Sequence, residues 1–130
     1  MEKAQILGLA TDLFFQPTIG SAVAELGYES LWLSEYRTAT EFIQLLRTEK
    51  PALIILDLNS ALPWIEWLPA VKADLVTSQI PWLAFGSHMK PRRLAAARRA
   101  GADKVVPKSQ FSAELTDLMK GTLGQMLTLL

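Results

Sequence analysis

Five short aliphatic runs, separated by longer stretches of helical period, constrain this chain more than any other feature. They are Gln5 to Ala10, Ser30 to Leu33, Leu53 to Leu56, Trp82 to Phe85 and Lys104 to Val106. Runs that are apolar on both faces suit strands of a parallel sheet buried between two helical layers.

The intervening segments supply those layers. The first puts Ile19, Val23 and Leu26 on one stripe, with Pro17 suited to a helix start and Gly27 to its stop. In the second, Thr38 and Glu41 have capping-box spacing ahead of Phe42, Leu45 and Leu46, and Pro51 ends the run. Trp64, Trp67, Leu68, Val71 and Leu75 give the third its stripe, although Pro69 lacks an N–H and is expected to kink or restart that helix. The fourth runs from Pro91 to Gly101, and the fifth follows Ser112 with Leu115, Leu118, Met119 and Met126 on one side. Strict alternation of five strands and five helices, joined by right-handed crossovers, predicts an α/β three-layer sandwich. In such folds a ligand site lies beyond the carboxyl ends of the strands.

A length of 130 residues suits a single domain, residues 1–130, with a core that needs no covalent staples. Thirteen basic residues balance thirteen acidic ones, so no global charge signature for nucleic acid is present. Cysteine is absent and His88 is the lone histidine, which removes disulfides, thiolate metal sites and histidine clusters. No stretch approaches a membrane span and the first residues lack a secretion signal, so the chain reads as cytoplasmic. A nucleotide- or flavin-using enzyme would need a phosphate loop or a nucleophile pattern of the known kinds, and neither is found.

The run "LIILDLNS" ends on Asp57, a carboxylate at the tip of a buried strand. Left bare among apolar groups it is destabilised by several kcal/mol or more, about the scale of a buried unpaired charge, so it must face solvent or a cation. Asp12 after "ILGLAT", Ser87 after "WLAFG" and Lys108 after "KVVP" occupy equivalent strand ends.

With those residues in place the chain resembles a response-regulator receiver domain, the flavodoxin-like module of two-component signalling. "LIILDLN", "WLAFGS" and "AAARRAGADKVVPKS" carry the likeness, which extends over essentially the whole chain. The resemblance implies a five-stranded sheet of order 2-1-3-4-5 and a signalling domain that is not an enzyme. It further implies Asp57 as phosphoacceptor, Ser87 as switch hydroxyl and Lys108 as a contact to the phosphoryl group. Asp12, Asp57 and the Asn59 carbonyl would hold Mg2+, a hard ion that prefers octahedral oxygen ligands. A histidine kinase or other signalling protein would be the partner, met through the helix from Pro91 to Ala100 and its neighbours.

The chain also departs from that pattern. Ala10 and Thr11 stand where receivers carry an acidic pair, with Asp12 one place beyond, so the magnesium site is weakened. "NSALPWIEW" replaces a short turn after Asp57, and Val105 replaces a common aromatic. A pseudo-receiver, acting as a phosphorylation-independent interaction module or homodimer, is the alternative these departures support.

Each residue has a plainer reading. Asp57 caps a helix or faces water, Ser87 is a turn residue, Asp12 is a helix N-terminal carboxylate, and Lys108 is solvated surface. Lys90, Arg92, Arg93, Arg98 and Arg99 form a stretch without an acid that reads first as a solvated helix face and only then as a site for an acidic partner or nucleic acid. Of four tryptophans, Trp32 is expected in sheet packing, and Trp64, Trp67 and Trp82 are the expected interface residues.

Overall fold

The computed structural model describes residues 3–11 and 13–129. Its strands are β1 (Gln5–Leu9), β2 (Glu29–Leu33), β3 (Leu53–Asp57), β4 (Trp82–Gly86) and β5 (Lys104–Pro107). All pair in parallel in the order 2-1-3-4-5. The sheet is therefore the flavodoxin-like one expected. Every residue of β3 and β4 is buried, while β2 at the edge is mostly exposed or half-buried.

A 3-10 turn at Leu13–Phe15 leads into α1 (Gln16–Glu25), followed along the chain by α2 (Ala39–Glu49), α3 (Trp64–Ala73), α4 (Pro91–Ala100), α5 (Lys108–Ala113) and α6 (Leu115–Leu129). Two apolar clusters flank the sheet. Phe42, Leu46, Trp67, Leu68, Leu94 and Ala97 pack with Ile54 and Leu56 on one face. Ile19, Val23, Phe111, Leu115 and Met119 pack with Leu53 and Ile55 on the other. Alternate residues of β3 thus serve opposite layers, the period-2 geometry of a strand covered on both sides.

Several local expectations hold. Thr38 and Glu41 form the capping box, with the Glu41 N–H donating to Thr38 Oγ1 at 3.1 Å and the Thr38 N–H to Glu41 Oε1 at 2.9 Å. Gly101 ends α4 in the left-handed region at φ 115°, where a side chain would be strained.

Others are corrected. Among the described residues six α-helices replace the expected five, because the last segment starts at Lys108, ahead of Ser112, and breaks at Glu114. Only Phe111 is buried in α5, so no apolar period announces that helix. Met126 lies outside the described side chains. Pro69 does not break α3; it sits on the exposed side of the helix. The stripe stops before Leu75, which is 93% exposed, because Asp74 Oδ2 accepts the N–H groups of Val76 and Thr77 and turns the chain there.

Trp64, Trp67 and Trp82 depart from the expected interface role, while Trp32 packs on the sheet as expected. Trp64, Trp67 and Trp82 are buried; Trp67 stacks on Phe42 with ring centres 4.3 Å apart and donates from Nε1 to the Arg37 carbonyl at 2.9 Å. Trp32, on the edge strand, is half-buried and lies flat over Gly8, where an added Cβ would stand 2.4 Å from the indole.

At the amino ends of β4 and β5, Asp103 Oδ2 accepts the Trp82 N–H at 2.7 Å and the Lys72 ammonium at 2.9 Å. The Ala-Gly-Ala-Asp phrase therefore serves the fold, at the rim opposite the strand ends that carry Asp57 and Lys108.

Candidate functional site

Strand register brings the site together. Asp57 stands opposite Phe85, and Gly86 opposite Pro107, so Ser87 and Lys108 leave their strands nearly in rank with Asp57. All three line one cavity of about 170 Å³, together with Asn59, Phe15 and Lys90. Asp57 and Lys108, 51 positions apart in the sequence, share this cavity because parallel strands deliver their carboxyl ends to a common rim.

Asp57 is only 6% exposed. Its Oδ1 accepts the Asn59 N–H at 2.9 Å, and its carbonyl accepts the Ser60 N–H at 3.0 Å, which folds the chain sharply past the strand end. The Leu58 N–H donates to the Phe85 carbonyl at 2.9 Å and Trp64 Nε1 donates to the Leu58 carbonyl at 3.3 Å. The longer loop after Asp57 is thus fastened from both sides, and Trp64 is buried beneath it instead of standing on the active face.

Ser87 Oγ accepts the Met89 N–H at 3.1 Å, and the Ser87 carbonyl accepts the Lys90 N–H at 3.0 Å. A hydroxyl whose oxygen holds a neighbouring amide keeps its own proton to donate. The Lys108 ammonium lies 4.6 Å from the centre of the Phe15 ring. Phe15 meets Phe85 edge to face at 5.6 Å, and Phe85 stacks on Phe111 at 4.0 Å, so an aromatic column supports the lysine.

Asp12 lies outside the described residues. Of the other expected metal ligands, Asp57 and Asn59 share the cavity, and the Asn59 side chain is engaged elsewhere: its Oδ1 accepts from Arg93 Nη1 at 3.2 Å. Thr11 Oγ1 accepts the Ala61 N–H at 3.3 Å, tying the end of the first strand to the loop after Asp57. Among the described residues no group of three or more histidines and acids gathers to hold a metal ion. Among the described residues the cavity offers one carboxylate, Asp57, beside Lys90 and Lys108, whereas Mg2+ draws its affinity from anionic oxygens.

Phe15, Lys90 and Arg93 were not singled out at this site by sequence. Lys90 is separated from Ser87 by a turn whose hydrogen bonds fold it back over the cavity, and the Ser-x-x-Lys-Pro spacing before a helix is the one local signal for it.

Comparison with solved structures agrees on the architecture. The chain superposes on a putative response regulator from Chloroflexus aurantiacus with a TM-score of 0.79 at 18% identity, covering 95% of this chain and 99% of that one. The signal receiver domain of a histidine kinase from Syntrophus aciditrophicus gives 0.76 at 20% identity, with 94% and 91% covered. The chemotaxis protein CheY4 of Vibrio cholerae gives 0.73 at 16% identity, with 92% and 98% covered. No protein-family model and no curated protein matches the sequence. The fold is that of response-regulator receiver domains, over 92–95% of the chain in these three superpositions. No helix among the described residues is long and apolar enough to cross a membrane.

Proposed function

We propose that the chain is a cytoplasmic receiver-type signalling domain, not an enzyme with turnover of its own, whose Asp57 accepts a phosphoryl group. The observation that carries this is the meeting of Asp57, Ser87 and Lys108 around one cavity. A carboxylate oxygen of Asp57 attacks phosphorus, the bond to the donor's leaving nitrogen or oxygen breaks with its electron pair, and an acyl phosphate forms. Charge spread over the phosphoryl oxygens calls for donors already in place, which is the part taken by the Lys108 ammonium and the Ser87 hydroxyl. The Asn59 N–H on Asp57 Oδ1 holds the carboxylate in orientation.

The donor in this reading is a histidine kinase or another signalling protein, and the output is docking through α4 and its neighbours. Arg92, Arg98 and Arg99 are exposed on that helix and offer an acidic partner a complementary surface. Intact mass after incubation with acetyl phosphate tests the proposal. One added phosphoryl group in the wild type, absent in Asp57→Asn, is expected; no adduct with or without Mg2+ refutes it. Ala10 and Thr11 in place of an acidic pair, the altered loop after Asp57 and Val105 also favour a second reading, a pseudo-receiver acting as a phosphorylation-independent interaction module or homodimer. That reading predicts no adduct, together with partner capture that Asp57→Asn leaves intact.

A further inference from the structure

Helices α2, α3 and α4 share one layer, where Phe42, Trp67 and Leu94 pack on the same side of the sheet, and their amino ends form a row along the carboxyl rim of the strands. Three exposed large apolar side chains stand on that row: Tyr36 at 69% before α2, Ile65 at 63% in the first turn of α3, and Met89 at 75% before α4. The two ends of the row differ in charge. At the α2 end the exposed Glu35 and Tyr36 lie side by side in a short loop, fastened from behind where the Arg37 carbonyl accepts from Trp67 Nε1 at 2.9 Å and where Thr38 caps the helix. Arg37 is close enough to Glu41 to act on its charge, so those two offset each other and Glu35 sets the sign of the loop. At the α4 end Met89 and Pro91 line an open recess of about 470 Å³ together with Lys90, Arg92 and Arg93. An apolar recess ringed by three cations matches a carboxylate presented next to an aromatic ring, which is what Glu35 and Tyr36 offer. The loop cannot enter the recess of its own chain, because α3 packs between α2 and α4.

We propose that a second copy of this chain docks on this row, the loop of Glu35 and Tyr36 in each copy entering the recess at Met89 and Arg92 of the other about a two-fold axis beside Ile65. Such an axis lays the α2 end of one copy on the α4 end of its mate and does so twice, so every loop and every recess is used and the assembly closes at two chains. Ile65 then meets its own counterpart, giving an apolar centre with charge pairs outside it, the layout of an interface core and rim. Glu66, exposed beside Ile65, brings like charges together near the axis and keeps the pairing weak and reversible. Because the loop is already fastened at Arg37 and Thr38, docking orders little that is not ordered before. The proposal is independent of Asp57 as phosphoacceptor; it gives the homodimer of the second reading a defined face.

Sedimentation velocity of the full chain, over a concentration series reaching the millimolar range, tests the proposal. A reversible monomer–dimer equilibrium is expected, and added sodium chloride weakens it as it screens the charge pairs. Glu35→Lys and Arg92→Glu are each expected to lower the dimer constant about ten-fold, because the symmetry doubles a loss of about two- to five-fold per exposed ion pair. Both positions are exposed, and circular dichroism checks that each variant keeps the melting temperature of the wild type. The decisive arm is an equimolar mixture of the two variants. Each alone sets like charges against each other, whereas a Glu35→Lys copy facing an Arg92→Glu copy carries two attractive pairs, so the mixture regains a dimer of wild-type strength. A wild type that stays monomeric throughout, or a mixture that associates no better than the separate variants, overturns the proposal. A dimer that neither substitution weakens refutes this face and leaves the homodimer reading standing. A monomer whose Met89 and Arg92 amides shift saturably with a separate acidic, aromatic peptide refutes the second copy as the occupant.

Discussion

Replacing Asp103 by alanine removes one acceptor from two donors, and its effect follows from the bonds in place. The Trp82 N–H, 2.7 Å from Asp103 Oδ2, belongs to a fully buried residue and loses this acceptor once the carboxylate is gone. A hydrogen bond to a charged group is worth about 1.5–3 kcal/mol. The Lys72 contact adds less, because its side chain is 22% and that of Asp103 33% exposed, and screened pairs of this kind contribute about 1 kcal/mol at most. Lys72 also keeps the Ile80 carbonyl at 3.3 Å as an alternative partner. Asp103→Ala is therefore expected to destabilise by about 2–3 kcal/mol, near 6–12 °C in Tm for a domain of this size. Asp103→Asn keeps an acceptor oxygen for the amide and is expected to lose about 1 kcal/mol, the difference between charged and neutral acceptors. Urea unfolding followed by circular dichroism, at low and high salt, measures both. An alanine variant within about 0.5 kcal/mol of wild type, the scatter of ordinary surface substitutions, refutes the clamp, and so does an asparagine variant as damaged as the alanine one.

Gly8→Ala drives a methyl into the Trp32 indole and should lose about 1–3 kcal/mol, most of it recovered in the Gly8→Ala, Trp32→Ala double variant when the cycle is measured by urea unfolding. Asp74 is held down from 3.8 to about 2, chiefly by the hydrogen bond from Arg47. A carboxyl depressed in the folded state stabilises above its unfolded pKa and loses that contribution as pH falls through the folded value, so stability should drop between about pH 4 and pH 2. Arg47→Ala is expected to flatten that part of the pH–stability curve, and an unchanged slope refutes the assignment. Trp64→Phe removes the bond to the buried Leu58 carbonyl and should lose about 1 kcal/mol in urea, with shifts in the amides of Asp57 to Ser60.

Strands were legible because burial on both faces forces continuous aliphatic runs, which Leu53 to Leu56 and Trp82 to Phe85 display. Asp57, Ser87 and Lys108 were legible for a related reason: a polar residue directly after such a run falls at the functional rim of a parallel sheet. Helix α5 was hidden because six residues with one buried side chain carry no period, and Ser112 imitated a cap inside it. Trp64, Trp67 and Trp82 were misjudged from their places beside irregular or strand-edge segments, although the spacing of Trp64, Trp67, Leu68 and Val71 already describes a stripe facing the sheet. Lys90 was hidden among arginines because convergence on a cavity is decided by a turn and by which neighbours face inward, and a linear charge run encodes neither.

Lys108 rests on the face of Phe15, and that perch makes its reach conditional. A cation on an exposed ring face holds about 0.5–1 kcal/mol, less than the 1.5–3 kcal/mol of a bond to a charged oxygen, so the ammonium is parked and not locked. Phe15 leans on Phe85 and Phe85 on Phe111, and Phe111 belongs to the helix that Lys108 itself begins, so the lysine's seat is tied at both ends to one six-residue segment without any aromatic at position 105.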